Sequence, residues 1–198
     1  MRFNIEKQIT DSISVKQKLL ESPDILLGIE SAASSIIAAM RNNRKVLVAG
    51  NGGSAADAQH IAGEFVSRFY FDRPGLPCVA LTTDTSILTA IGNDYGYEKI
   101  FTRQIEALGN EGDIFIGIST SGNSLNLIEA LKKCREKKLL SIVLTGSAGG
   151  KMKEISDICI MVPSDETPRI QESHILMGHI ICCLVEEEIF GHLKPCRR

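Results

Sequence analysis

Apolar residues form five short runs, separated by longer stretches in which they recur at helical spacing. The runs are rich in valine and isoleucine, and most end in Gly, Ser, Thr or Asp, a pattern typical of buried strands. We predict strands at 45–49, 78–81, 114–118, 141–144 and 158–162. Helical spacing predicts helices at 1–20, 23–41, 54–69, 97–108, 124–137 and 168–190, the second capped by Ser22 with Pro23 in its first turn.

Strands that are apolar on both faces and alternate with helices indicate a parallel sheet covered on both sides. The fold class predicted is α/β, a three-layer doubly wound sandwich on a five-stranded parallel sheet. A length of 198 residues suits one domain, with leading helices at 1–42, an α/β core at 45–191 and a tail at 192–198. The leading helices precede the first strand, so we expect their surplus apolar surface to pack against other subunits. An ordinary helical layer within the chain is the alternative.

Charge and composition exclude several classes of protein. The chain carries 22 Lys and Arg against 24 Asp and Glu, without a long run of either sign, so no basic face for nucleic acid is expected. Its longest apolar run, 180–185, is far shorter than a membrane span, and charges within the first twenty residues argue against a secretion signal. We therefore expect a cytoplasmic protein. Its cysteines form no C-x-x-C pair and are expected to be reduced, buried thiols: Cys78, Cys134, Cys159, Cys182, Cys183 and Cys196.

The predicted strands end in turns filled with glycines and hydroxyls. The first strand leads into Gly50–Ser54, and the third leads into Ser119–Ser124, which holds four hydroxyls and a glycine. A helix N-terminus with free N–H groups and neutral hydroxyl donors suits a phosphate. The pattern is neither a P-loop nor a dinucleotide fingerprint. Ordinary turn and cap chemistry is the alternative, and Ser54 with Asp57 forms a plausible capping box. Two such turns at neighbouring positions favour phosphate or sugar binding.

Two predicted helices carry histidines and a carboxylate. His60 and Glu64 are four residues apart and stack on one helix face, with Arg68 continuing the row. Such a pair can hold a divalent metal or transfer protons, whereas the alternative is a solvated i,i+4 pair. On the last helix we expect His174 to be a core residue. His179 lies in the apolar part of that helix and needs a partner there.

Several ordered motifs together resemble the sugar isomerase (SIS) domain family. They are N-G-G-S at 51–54, the A-x-H-x-A-x-E row ending at Glu64, G-N-D at 92–94, S-T-S-G-N-S at 119–124 and R-I-Q-E-x-H at 169–174. The resemblance covers nearly the whole chain. It implies a flavodoxin-like sheet and a homotetramer with active sites between subunits. Pro168 departs from the pattern, since some relatives carry Asp at that position.

The resemblance also implies an activity. Similar members convert sedoheptulose 7-phosphate, through an enediol, into D-glycero-D-manno-heptose 7-phosphate, the first step in making the heptose of lipopolysaccharide cores. It implies Glu64 and His179 as the catalytic pair, and one zinc ion per subunit held by His60, Glu64, Gln171 and His179. The implied substrate-binding residues are Asn51, Gly52, Gly53, Ser54, Glu64, Arg68, Asn93, Asp94, Ser119, Thr120, Ser121, Ser124 and Gln171.

A second interpretation comes from non-enzymatic members of the family. Some are tetrameric binding proteins that regulate replication initiation, and another possibility is a regulatory sensor of a sugar phosphate. By resemblance, the replication regulators lack the acid–base pair at the positions of Glu64 and His179. Since both residues are present in this chain, the sequence favours the isomerase.

Overall fold

The computed structural model describes residues 1–194, which form a five-stranded parallel sheet. The spatial order is β2-β1-β3-β4-β5, as expected for a flavodoxin-like doubly wound sheet. The predicted α/β fold class is confirmed, and each predicted strand lies within two residues of an observed one. The strands are β1 (Val46–Gly50), β2 (Cys78–Ala80), β3 (Ile114–Ser119), β4 (Leu140–Thr145) and β5 (Ile158–Met161).

Alternating strand residues contribute their side chains to two separate apolar cores, one on each side of the sheet. Val46, Val48 and Ile116 face one core, while Leu47 and Phe115 face the other. The first core is covered by α1 (Arg2–Leu20), α2 (Pro23–Arg41), α3 (Gly53–Val66) and α8 (Thr167–Phe190). The second is covered by α5 (Ile100–Leu108), α6 (Leu125–Lys137) and α7 (Gly150–Ile155). This arrangement is the three-layer sandwich that the apolar pattern predicts.

Two helices were not predicted. The helix α4 (Thr85–Tyr95) begins at Asp84, whose carboxylate accepts a hydrogen bond from the Ile87 N–H at 2.9 Å. None of its residues is fully buried, although Leu88 and Ile91 pack against the second core, and this short apolar stripe was overlooked in the sequence. The helix α7 has six residues, too few to display a helical period.

The two leading helices differ in how they bury their apolar residues. Ile29, Ala32 and Ile36 of α2 are buried within the chain, where α2 packs against α8 and β5. The prediction that these α2 residues pack against other subunits is therefore wrong. By length and composition α2 could cross a membrane, but here its apolar side belongs to the core. In α1 only Val15 and Leu19 are buried. Its remaining large apolar side chains are exposed: Phe3, Ile5, Ile9, Ile13 and Leu20.

The cysteines within residues 1–194 are all unbridged, in agreement with the prediction of reduced thiols. Cys78, Cys134 and Cys182 are buried, and burial raises the pKa of Cys78 to about 12. Cys159 and Cys183 are half-buried. Cys196 lies outside the described residues.

Candidate active site

The carboxyl ends of β1, β3 and β4 lie side by side. Gly50 is paired with Ile118, and Ser119 with Thr145, so the turns after these strands meet at one edge of the sheet. The turn Ser119–Ser124, called the hydroxyl loop below, is bonded to itself. The Ser119 hydroxyl lies 3.1 Å from that of Ser124 and accepts the Gly122 N–H at 3.2 Å. The loop therefore presents a fixed set of neutral donors at the start of α6.

Gly122 fixes the shape of the hydroxyl loop. Its φ of +64° lies in the left-handed region, and a Cβ there would lie 2.0 Å from the Gly149 carbonyl oxygen. Only glycine allows this contact, which brings the turn before α7 against the hydroxyl loop. The Gly122 carbonyl accepts the Met152 N–H at 3.0 Å, so the two turns form one surface.

A side-chain clamp joins the turn after β1 to α6. Asn51 and Asn126 exchange amide hydrogen bonds of 3.0 and 2.9 Å, and the Tyr97 hydroxyl donates to the Asn51 oxygen at 2.9 Å. Sequence reasoning named Asn51 but missed Asn126 and Tyr97. A polar residue on the buried side of α6 was the available signal for Asn126, which is buried.

The beginning of α3 differs from the predicted capping box. The helix begins at Gly53, with Gly52 at the N-cap position and no side-chain cap. Ser54 is buried within the first turn, and its N–H donates to the Asn51 carbonyl at 3.0 Å. The capping-box prediction is therefore wrong. The start of α3 is formed by backbone, as a close-fitting anion site requires.

Gln171 lies against the start of α3. A Cβ on Gly53 would be 2.5 Å from the Gln171 amide nitrogen, so glycine makes room for the glutamine of α8. Eight residues separate Gln171 from His179, or about 12 Å along one helix. Within one chain the structure thus places Gln171 with the turns and away from the other three predicted metal ligands.

Those three residues come together in what we call the His/Glu cluster: His60, Glu64 and His179. The His60 Nε2 lies 3.1 Å from Glu64 Oε1 and 2.9 Å from His179 Nε2. His179 is half-buried on α8, with the Phe69 ring at 5.6 Å between centroids. His179 therefore has the partner that its apolar surroundings demand, and the partner comes from α3.

The donor set of the cluster fits a divalent metal. One ligand atom from each of the three residues lies within 4.8 Å of the others. Two imidazole nitrogens and a carboxylate oxygen are typical zinc ligands, and tetrahedral bonds of about 2.0–2.1 Å place ligand atoms roughly 3.4 Å apart. The observed separations of 2.9 and 3.1 Å are close to that value. Three protein ligands would leave one position open.

The other predicted substrate residues are distributed unevenly. Arg68 does not continue the helical row, because α3 ends at Val66. The helix α3 is about 20 Å long, and Arg68 lies beyond the end that is remote from the hydroxyl loop, so within one chain it does not supply that loop with charge. Asn93 and Asp94 are exposed at the end of α4, bonded to each other at 2.8 Å. They precede Tyr97, which bonds Asn51, by three or four residues in the chain.

His174 lies inside the core, beneath the carboxyl end of β4. It is fully buried, as predicted for a core histidine, and its Nε2 lies 3.1 Å from the Thr145 carbonyl oxygen at the end of β4. Its Nδ1 has no hydrogen-bond partner. Burial lowers the pKa of His174 to about 4, although the bond to Thr145 acts in the opposite direction. The ring is therefore neutral at neutral pH.

Comparison with known proteins identifies the family. The family model described as SIS domain matches residues 14–146. The chain belongs to the SIS domain family. It is 66% identical over 190 residues to a phosphoheptose isomerase of Aneurinibacillus thermoaerophilus, with 96% of each chain covered. It is 60% identical to phosphoheptose isomerase 2 of Campylobacter jejuni, covering 98% of this chain and 96% of the relative.

Solved structures of the SIS family agree with this assignment. The structure of a phosphoheptose isomerase from Neisseria gonorrhoeae is 43% identical and superposes with a TM-score of 0.89. The match covers 94% of this chain and 98% of that one. The resemblance inferred from the motifs is thus confirmed across nearly the whole chain.

Proposed function

We propose that this SIS-family protein is an aldose–ketose isomerase that converts sedoheptulose 7-phosphate into D-glycero-D-manno-heptose 7-phosphate. This reaction is the first step in making the heptose of lipopolysaccharide cores. The observation that carries the proposal is the approach of Glu64 and His179, an acid–base pair, across two helices. The relatives named phosphoheptose isomerase, at 66% and 60% identity over almost the full chain, support the choice of substrate.

The chemistry moves one proton between C1 and C2 of the open-chain sugar. Glu64 removes the proton from C1, which leaves an enediol, and returns it to C2. His179 gives a proton to the C2 oxygen as the enediol forms and takes one from the C1 oxygen as the aldehyde forms, so charge does not accumulate on oxygen. Glu64 Oε1 faces His60, and its second carboxylate oxygen is the one we assign to the carbon proton.

The cluster is also the proposed zinc site. His60, Glu64 and His179 would hold the ion, and when bound it supplies a Lewis acid for the sugar oxygens. Gln171 lies about 12 Å before His179 along α8, with its amide against Gly53, so we propose that a fourth ligand from this residue comes from a second copy of the chain.

We also propose a homotetramer with active sites shared between subunits. The separation of Gln171 from His179, and of Arg68 from the uncharged hydroxyl loop, supports sharing. The apolar side chains exposed on α1 support assembly, since Phe3 is 80% and Ile13 63% accessible in the single chain. Apolar patches of this kind mark protein interfaces.

The activity is tested with purified protein and sedoheptulose 7-phosphate in heavy water, followed by NMR. We expect an aldose heptose phosphate to form and solvent deuterium to enter at C2 of the product. The matched control uses the same sugar without its phosphate, which should react poorly. Binding of the phosphate sugar without product or deuterium incorporation would contradict the isomerase and favour a regulatory sensor.

The assembly is tested by deleting residues 2–20. We expect the tetramer and the activity to be lost together, although the cluster and the hydroxyl loop remain. Sedimentation velocity and turnover of the truncated protein are measured on the same sample. A fully active monomer would contradict shared sites.

A further inference from the structure

A buried ion pair lies beneath the carboxyl end of α3. The Arg73 Nε donates to Glu186 Oε1 at 3.0 Å, and both side chains are 1% accessible. Glu186 also accepts the N–H groups of Phe69 and Tyr70, each at 2.7 Å. Burial alone would raise the pKa of Glu186, but these three donors outweigh it and hold the pKa below its ordinary value. The carboxylate is therefore charged in the folded protein.

Arg73 completes the end of the helix that carries Glu64. Because α3 ends at Val66, its last carbonyls lack partners within the helix. Arg73 Nη2 donates to the Glu64 carbonyl at 2.9 Å, and Nη1 donates to the Phe65 carbonyl. The guanidinium thus fixes the backbone of the proposed base directly.

Glu186 lies on the helix that carries His179. It follows His179 by seven residues on α8, which puts both on one helix face. It also holds the backbone of Phe69, whose ring lies 5.6 Å from the His179 ring. One ion pair therefore connects the end of α3, the helix α8 and the backbone of Phe69, whose ring packs beside His179.

We propose that Arg73 and Glu186 are positioning residues that hold Glu64 and His179 in the geometry needed for proton transfer. The inference rests on the isomerase function proposed above. A buried ion pair adds little net stability compared with apolar residues, so stability is a poor reason for placing charge here. Misplacing a catalytic group by about 1 Å, by contrast, can cost about 100-fold in rate.

The chain contains a matched control pair, Lys45 and Asp113. Asp113 is also buried and also accepts three donors: the Lys45 N–H, the Lys45 ammonium at 2.5 Å and the Asn110 N–H. It lies at the amino end of β3, the opposite edge of the sheet from the hydroxyl loop. Removing the Asp113 charge tests the cost of breaking an ion pair on a buried carboxylate that lies away from the cluster, with a partner, Lys45, that is partly exposed.

The kinetic test compares Glu186→Gln with Asp113→Asn. We expect Glu186→Gln to lower kcat by roughly 10- to 100-fold with little change in KM, because the lost geometry acts on the transition state. Asp113→Asn should lower the melting temperature to a similar extent and keep kcat within about twofold. Equal losses of kcat in both variants, or an unchanged kcat in a folded Glu186→Gln, would overturn the proposal.

A spectroscopic test does not depend on the substrate. The His179 ring resonances, in protein labelled on its four histidines, should shift in Glu186→Gln because the Phe69 ring moves. They should stay in place in Asp113→Asn. Unmoved His179 resonances in Glu186→Gln would contradict the positioning role, whereas absent turnover in the unmodified protein would contradict only the isomerase function.

A second variant covers the case in which Glu186→Gln does not fold. Arg73→Lys keeps the buried charge pair but removes the fork that reaches the carbonyls of Glu64 and Phe65. We expect it to fold and to lose about tenfold in kcat. Full kcat in Arg73→Lys together with unmoved His179 resonances would also overturn the proposal.

Discussion

The hydroxyl loop and the His/Glu cluster are built in opposite ways. The loop is contiguous in sequence, and its shape comes from backbone and neighbouring hydroxyls, as in the bond between Ser119 and Ser124. The cluster joins side chains 119 residues apart, His60 and His179, on two packed helices. The loop offers several interchangeable donors, whereas each cluster residue has its own role. Substitutions should therefore be mild in the loop and severe in the cluster.

The sharpest test of this contrast is Glu64→Gln. The change keeps the shape of the side chain and removes the base, so we expect turnover to fall by at least about 100- to 1000-fold with little effect on folding. Initial rates with sedoheptulose 7-phosphate and a thermal melt measure the two effects. Glu106→Gln is the control, since the Glu106 side chain is exposed and pairs with Arg103 on the surface.

The same variant separates the roles of Glu64 as base and as ligand. If Glu64 acts mainly as base, Glu64→Gln binds zinc nearly as well as the unmodified protein in a calorimetric titration. His60→Gln should weaken zinc binding in either case, because it removes a nitrogen ligand. A Glu64→Gln protein that keeps more than a tenth of the turnover would refute its assignment as the base.

His174 allows a test of how the core beneath the hydroxyl-loop edge of the sheet responds to pH. Its folded pKa of about 4 lies below the ordinary value of 6.5, so its contribution to stability is present above pH 6.5 and is lost as the pH falls toward 4. Between pH 7 and pH 5 the free energy of unfolding should drop by about 2 kcal/mol from this residue. Urea unfolding at both pH values measures the drop.

The variant His174→Gln keeps a donor for the Thr145 carbonyl and removes the titrating ring. It should be less stable at pH 7, because a packed ring is lost, but its stability should depend less on pH by about 2 kcal/mol over the same range. An unchanged pH dependence would assign the effect to other groups and show that His174 does not carry it.

The contrast also explains what could be predicted from sequence. The strands and the hydroxyl loop depend on residues close together in the chain, so apolar runs ending in Gly and Ser predicted both. The pairing of His60 with Glu64 followed from helical spacing. Spacing alone could not bring His179 to them, because that contact depends on how α3 packs against α8. The family resemblance supplied it.

The residues that sequence reasoning missed share one property. Asn126, Tyr97 and the Arg73–Glu186 pair act on partners distant in the chain, with no local pattern to mark them. The prediction that Arg68 continues the row of His60 and Glu64 is wrong for a related reason. The helix α3 ends at Val66, where Arg73 donates hydrogen bonds to the last carbonyls of the helix. The available signals were weak: Asn126 stands on the buried side of α6, and Glu186 is the first of three consecutive glutamates that follow the apolar part of α8.

The smallest expected effect is in the loop. Ser124→Ala removes one neutral donor and its 3.1 Å contact with Ser119, while the Gly122 turn and the start of α6 remain. One hydrogen bond contributes roughly 0.5–1.5 kcal/mol, so KM should rise roughly 2- to 10-fold. We expect kcat to stay unchanged, because the phosphate is held equally in the ground and transition states. Ser35→Ala is the control, since that hydroxyl bonds the Ser31 carbonyl on the exposed side of α2. A loss of kcat as large as that of Glu64→Gln would mean that the loop takes part in the chemistry and that the contrast drawn here is wrong.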